Sequence, residues 1–389
     1  MKILELLYTN GIAGAEKYLQ HLLPAIKRKG IDCHLIVVCS HKAEKILTTY
    51  VEEFRLEGVP ATLIVTRRAG FMKVAWKINN YLKQHELSIV HSHLLYSDLI
   101  ATLVKTFFKP SLVIVSTKHG YNEEILKKLT YSTDATVVKK LVSKDIHYYT
   151  TCAILKKIDY NFAVSNALSL LYYNLGLLNY KMPYIYHGVS LDIKFENLQY
   201  RIAEKQIICV GRLEEIKGQR YLIEAMPAIV KQLPDAKLIF IGRGSEEKNL
   251  KQLSADLQMD KNIVFMGFNN NPYPYLSNSD VAIIPSLFEA FGLVYIEAFA
   301  LKAPIVAFDI AAGNEIIEKN KTGLLVPSKD VQQLAEKILY LLQNPGKAKE
   351  IGDAAYQLYL NHFTTARMVT ETVSYYHTVF ENIKKRKIS

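Results

Sequence analysis

Short apolar runs alternate with longer amphipathic stretches along almost the whole chain. KILELLY, CHLIVVCS, TLIVT, SIVHSH, LVIVST and YNFAVS are largely apolar and of strand length, as expected of strands buried on both faces. Between them, segments such as AEKYLQHLLPAIKRKG and MKVAWKINNYLKQHE repeat their apolar residues at helical spacing. The alternation predicts a parallel sheet covered by helices on both sides. After MPYIYHGVSLDIKFENLQYRIAEK the pattern restarts with QIICVGRL, KLIFIGRG, NIVFMGF, VAIIPS and PIVAFD. A boundary near 188–204 follows, with two doubly wound α/β domains, 1–188 and 189–365. The tail TTARMVTETVSYYHTVFENIKKRKIS reads as one long helix with a basic end, and 366–389 is expected to join the first domain. In such folds ligands bind beyond the carboxyl ends of the strands. Two facing domains of this kind are expected to form a deep cleft.

Composition narrows the class. A chain of 389 residues, half of them hydrophobic and 22% charged, builds sizeable cores and is not a disordered polymer. No apolar run reaches the roughly 18 residues of a membrane span, and the first strand carries Glu5, unlike a secretory leader. Cys33 and Cys39 end one strand segment, and six strand residues span about 20 Å, beyond disulfide reach. Cys152 and Cys209 stand alone, so all four read as free thiols in a reducing, cytoplasmic setting. The net charge of +11 points to an anionic partner. No nucleic-acid motif accompanies it, so phosphorylated small molecules or an anionic membrane are the candidates. Segment 127–157 holds seven lysines against two aspartates among apolar residues. That pattern fits either an interfacial helix at the inner face of the plasma membrane or a solvated surface.

The residues with chemistry fall just after strands. Arg212 and Lys217, in VGRLEEIKG, present a forked donor and a point charge on one loop; they suit a diphosphate, or are two solvated charges. In SLFEAFGLVYIEA, Glu289 sits in a loop and Glu297 inside the helix predicted to open near Gly292. The backbone N–H groups around Phe291, Gly292 and Leu293 then offer an anion site. Two carboxylates beside it suit hydroxyls, which a nucleotide sugar supplies at both ends of its diphosphate. Gly11 and Gly14, in NGIAGAEKYL, form a strand-to-helix turn without the full dinucleotide fingerprint. His91, His93 and His119 also close strands. No third ligand joins the first two in the sequence, so no metal site is expected, and His119 beside Gly120 is the better functional candidate.

Together GAE (14–16), GRL-x3-KG (211–218), E-A-F-G-L-V-x2-E (289–297) and TGLLVP (322–327) resemble the retaining glycosyltransferases of family 4. That resemblance implies the GT-B architecture of two facing Rossmann-like domains, and transfer from a nucleotide-sugar donor to a lipid-linked or cell-envelope saccharide. It assigns Arg212 and Lys217 to the donor diphosphate, Glu289 to the transferred sugar and Glu297 to the ribose. It also assigns Ala290, Phe291, Gly292 and Leu293 to the donor-binding segment, Gly14 to the donor phosphate, His119 to the sugar and Phe268 to the nucleobase. Ala13-Gly14 replaces the family's glycine pair, and His187-Gly188-Val189-Ser190 replaces its usual linker. The resemblance favours a UDP-sugar over a GDP-sugar, while the residues themselves do not choose. The chain has no Asp-x-Asp, so metal-independent transfer is expected, with no cofactor. The alternatives are an epimerase or phosphorylase relative, or a non-catalytic nucleotide-sugar binder.

Overall fold

The computed structural model describes residues 1–67, 70–122, 124–126, 146–191 and 200–388. Lys139, Lys140 and Lys144, with most of the basic segment 127–157, lie outside them. The part of that segment that is described forms helix Ile146–Leu155, which exposes Ile146 and Tyr149. No described helix is long and apolar enough to cross a membrane.

The chain divides into two compact units, Met1–Gly188 with Thr365–Ser389, and Val189–Thr364. In the first unit β1 (Lys2–Tyr8), β2 (Asp32–Cys39), β3 (Ala61–Val65), β4 (Ile89–His93), β5 (Val113–Lys118) and β6 (Tyr160–Ala163) form one sheet in the order β3-β2-β1-β4-β5-β6. All its pairings are parallel. Register decides what each face carries. Glu5 pairs with His91, His91 with Val115, and His93 with Thr117. Alternation along a strand therefore puts Glu5, His91, His93 and Thr117 on one face. The C-terminal helix Thr365–Ile388 covers that face through Met368, Val369, Tyr376 and Val379. Ser92, Ser116 and Lys118 take the other face, where all three meet Asp98 of helix Leu95–Phe107.

The second unit repeats the plan. Its strands are β7 (Lys205–Val210), β8 (Ala236–Ile241), β9 (Ile263–Phe265), β10 (Val281–Ile284), β11 (Ile305–Phe308) and β12 (Leu324–Val326). They are ordered β12-β11-β10-β7-β8-β9, again all parallel. Counted from its own first strand, this is the order of the first sheet seen from the opposite edge. The edge strand β12 lies in the TGLLVP motif, where the apolar run is only Leu324–Val326 between Gly323 and Pro327 and does not announce a strand. The core joins Ile207, Leu238, Phe240, Ile283 and Val306 to helices Gln219–Gln232 and Val331–Gln343. Each such side chain contributes about 1.5–3 kcal/mol by leaving water. The polar residues that replace them in the first sheet therefore carry a cost that their hydrogen bonds must offset.

Candidate active site

In each sheet the strand order reverses beside the first strand, and loops leaving that point are splayed to either side. In the second unit the point lies between β7 and β10. The loop after β7 runs through a short turn, Glu215–Lys217, to Gly218, whose φ is +65°. A Cβ there would lie 2.0 Å from the Pro285 carbonyl oxygen, so the loop after β7 touches the loop after β10 backbone to backbone. Leu287 N–H donates to Ile216 O at 2.8 Å and ties the two loops together. The loop after β8 joins them: Leu213 N–H donates to Arg243 O at 3.0 Å, and Gly242 and Gly244 lie so close to Gly211 and Leu213 that neither leaves room for a side chain.

This packing brings Lys217 Nζ to 2.6 Å from Glu289 Oε1. Ser286 Oγ donates to the same oxygen at 2.8 Å. The sequence reading placed Lys217 on a diphosphate and Glu289 on a sugar, and contained neither their ion pair nor Ser286. Arg212 heads the same loop with an exposed side chain, and its carbonyl accepts from Gln219 Nε2 at 2.8 Å. Gly292 adopts φ +89° at the start of helix Leu293–Ala300; a Cβ there would meet the Tyr295 ring at 2.6 Å. The buried Phe291 side chain packs near Phe363, so the segment Ala290–Leu293 offers chiefly its backbone. Glu297 is buried in the helix and accepts from Tyr273 OH at 3.1 Å. Burial, then the Glu297 charge, pushes the Tyr273 phenol upward. Phe268 is 67% exposed, one residue after Gly267, which lies against the Arg243 side chain. Arg243, Ser286 and Tyr273 are the residues the sequence reading missed. Arg243 and Ser286 follow the ends of β8 and β10, and Tyr273 opens the short helix Tyr273–Ser277; only the fold brings them together.

In the first unit Gly14 is exposed and opens helix Gly14–Arg28, and the Glu16 carboxylate accepts from Ala13 N–H at 2.8 Å. His119 follows β5. Its Nε2 lies 3.0 Å from His93 Nδ1, and His93 Nε2 lies 2.8 Å from Glu5 Oε2. Glu5 also takes Tyr376 OH on Oε1 at 2.9 Å and meets His91 Nδ1 at 3.0 Å. Tyr376 OH lies 2.6 Å from His91 Nδ1, and Thr117 Oγ1 lies 2.7 Å from His91 Nε2. Burial alone raises the Glu5 carboxyl, but His91 and the hydrogen bonds from both histidines hold it down at about 2. Burial, then His91, pushes His93 down to about 4. Burial and the neighbouring histidines push His119 well below its usual value and His187 to about 3. Immediately after His93, Leu94 adopts φ +71° and ψ 159°, a conformation nearly reserved for glycine.

The sequence shows no third group beside His91 and His93, and the fold supplies one. Glu5, distant in sequence, completes a trio whose side-chain nitrogen and oxygen atoms lie within 4.8 Å of one another. Those atoms already satisfy one another by hydrogen bonding.

The family "Glycosyltransferase Family 4" matches residues 12–193, and "Glycosyl transferases group 1" matches 192–358. The N-acetyl-alpha-D-glucosaminyl L-malate synthase of Bacillus anthracis is 25% identical over 326 residues, covering 82% of this chain and 81% of that protein. The poly(ribitol-phosphate) alpha-N-acetylglucosaminyltransferase of Staphylococcus aureus is 27% identical over 192 residues, 49% of this chain and 39% of that one. Among solved structures, Anabaena HepE in complex with UDP and glucose superposes with a TM-score of 0.79 at 18% identity, over 97% of this chain and 100% of that one.

Proposed function

Since the chain belongs to family 4 of the glycosyltransferases and has their GT-B fold, we propose that it transfers a sugar, with retention, from a nucleoside-diphosphate donor to a hydroxyl of a cell-envelope saccharide. The observation that carries this reading is the Lys217–Glu289 contact of 2.6 Å, built by loops from neighbouring strands. One ammonium touches the acid assigned to the sugar and has two further N–H donors for the diphosphate beside it. Lys217 and Ser286 both meet Oε1 of Glu289, which leaves Oε2 to sugar hydroxyls. Glu297, held by Tyr273, takes the ribose at the far end of the diphosphate.

When the bond to the sugar breaks, negative charge grows on the departing diphosphate. Arg212, Lys217 and the N-terminus of helix Leu293–Ala300 are the groups we assign to meet it. A diphosphate oxygen held on the departing face takes the proton of the attacking hydroxyl, so the new bond forms on the face the old one left. The chain has no Asp-x-Asp, and this reaction needs no divalent ion. The UDP complex of HepE supports a UDP-sugar as the donor.

The test is nucleotide release from a panel of UDP- and GDP-sugars in the presence of EDTA, with the anomeric configuration of the product read by NMR. We expect UDP release and a retained anomer. An inverted product, or activity lost in EDTA and restored by Mg²⁺ or Mn²⁺, overturns the mechanism.

A further inference from the structure

We propose that Glu5 and His93 are positioning residues that fix His119 as its Nε2–H tautomer, so that His119 Nδ1 serves as a hydrogen-bond acceptor for a ligand hydroxyl. The argument follows protons along the chain of contacts. An ionised carboxylate only accepts. Glu5 Oε1 accepts from Tyr376 OH, so Glu5 Oε2 accepts from His93 Nε2–H at 2.8 Å. Tyr376 in turn accepts from His91 Nδ1–H, and His91 Nε2 then accepts from Thr117. This leaves every donor in the cluster with an acceptor.

A neutral imidazole carries one N–H. With that proton on Nε2, His93 presents a lone pair at Nδ1, 3.0 Å from His119 Nε2. His119 must therefore donate from Nε2, and its own lone pair falls on Nδ1. Among the described residues that Nδ1 is buried and makes no hydrogen bond. The Tyr18 ring at 5.0 Å and the His187 ring at 5.3 Å flank the imidazole and hold its plane. Reversing the chain of protons would require a protonated Glu5, which the low value of that carboxyl opposes. A lone acceptor, fixed by a relay that begins on the first strand, suits a neutral hydroxyl donor and repels a phosphate oxygen. The ligand assignment, to a hydroxyl of the transferred sugar, rests on the function proposed above; the tautomer does not.

The test is two-bond ¹H–¹⁵N correlation NMR on the full chain labelled with ¹⁵N-histidine, with His119 assigned through His119→Asn. The wild type should show an unprotonated Nδ1 and a protonated Nε2. Glu5→Gln supplies an amide that can donate to His93 Nε2, so the relay can reverse and His119 should shift towards the Nδ1–H form. If that variant does not fold, Tyr376→Phe, which removes one donor to Glu5, should alter the His119 resonances, and the wild-type spectrum still stands as a test. A wild-type Nδ1–H form, or tautomers indifferent to both substitutions, overturns the relay. Adding UDP-glucose or UDP-N-acetylglucosamine should move the Nδ1 resonance, and UDP alone should not. If neither sugar nucleotide moves it although the tautomer is as stated, the sugar assignment is overturned and the relay stands. Failure of every sugar nucleotide to release its nucleotide would instead overturn the proposed function.

Discussion

The two units share one sheet order but equip it with opposite means. In the first, polar side chains invade the sheet: Glu5, His91, Ser92, His93, Ser116, Thr117 and Lys118 are all buried on β1, β4 and β5. In the second, strands β7 to β12 bury a single strongly polar side chain, Gln206. Its candidate site gathers at loops where glycines let backbones touch. The histidines divide accordingly, and of the eleven in the chain only His362 belongs to the second unit. The difference teaches that one topology supports two ways of holding a functional group. A side chain can be locked by a buried network, or carried on loops locked by close backbone approach. The first is sensitive to protons, the second to volume.

The strongest way to break the comparison is at the Lys217–Glu289 pair. Lys217→Ala should lower kcat by roughly 10²–10³, the usual cost of losing one preorganised donor to a developing charge. Steady-state kinetics on the donor that the release assay identifies would check it, and an unchanged kcat would remove Lys217 from the chemistry. Acid should separate the units next. His93, His119 and His187 are depressed in the folded state while the unfolded chain titrates near 6.5. Between pH 6.5 and 4 the unfolded state therefore binds more protons, and the stability these groups contribute, complete above 6.5, falls with pH. For His93 the loss continues down to about pH 4. The lone tryptophan, Trp76, lies in the first unit. Its fluorescence should report unfolding at a higher pH than the loss of the remaining helical circular dichroism. Coincident transitions would contradict the split.

Volume is the corresponding lever on the second unit. Gly218→Ala adds a methyl against the Pro285 carbonyl and forces a left-handed residue. The strain alone costs about 1–3 kcal/mol. Tm should fall and nucleotide binding should weaken, whereas Gly11→Ala, where nothing lies within 4 Å of the added carbon, should leave both near wild type. The smallest effect is expected at Glu297. Glu297→Gln keeps an acceptor for the ribose and should raise KM for the donor with little change in kcat, because that contact persists from ground to transition state. A fall in kcat at constant KM would move Glu297 to the reacting centre.

The architecture was legible in the sequence because strand-length apolar runs and helical periodicity do not depend on distant contacts. All six strands of the first sheet coincide with runs visible in the sequence, and only the short β12 escaped. In the second unit Lys217, Glu289 and Glu297 lie in short local motifs after strands, so they are visible as candidates, while their roles come from the family resemblance. The buried network does not. Glu5 reads in sequence as an acid interrupting a strand, and nothing local ties it to His93 or Tyr376. Register between β1 and β4 makes the first connection, and the return of the last helix makes the second.

That return has a consequence for how the molecule can be rebuilt. The segment Val189–Thr364 is inserted between two parts of the other unit, and its ends are fastened together. Val189 N–H donates to Phe363 O at 3.0 Å, and Tyr359 OH donates to Val189 O at 2.9 Å. Entry and exit therefore share one doorway. A cassette with joined ends can be lifted out and replaced by that of a relative, with no new span of chain to bridge. Modular exchange at this doorway would let the histidine network stay constant while the glycine-packed loops, and whatever they bind, are changed.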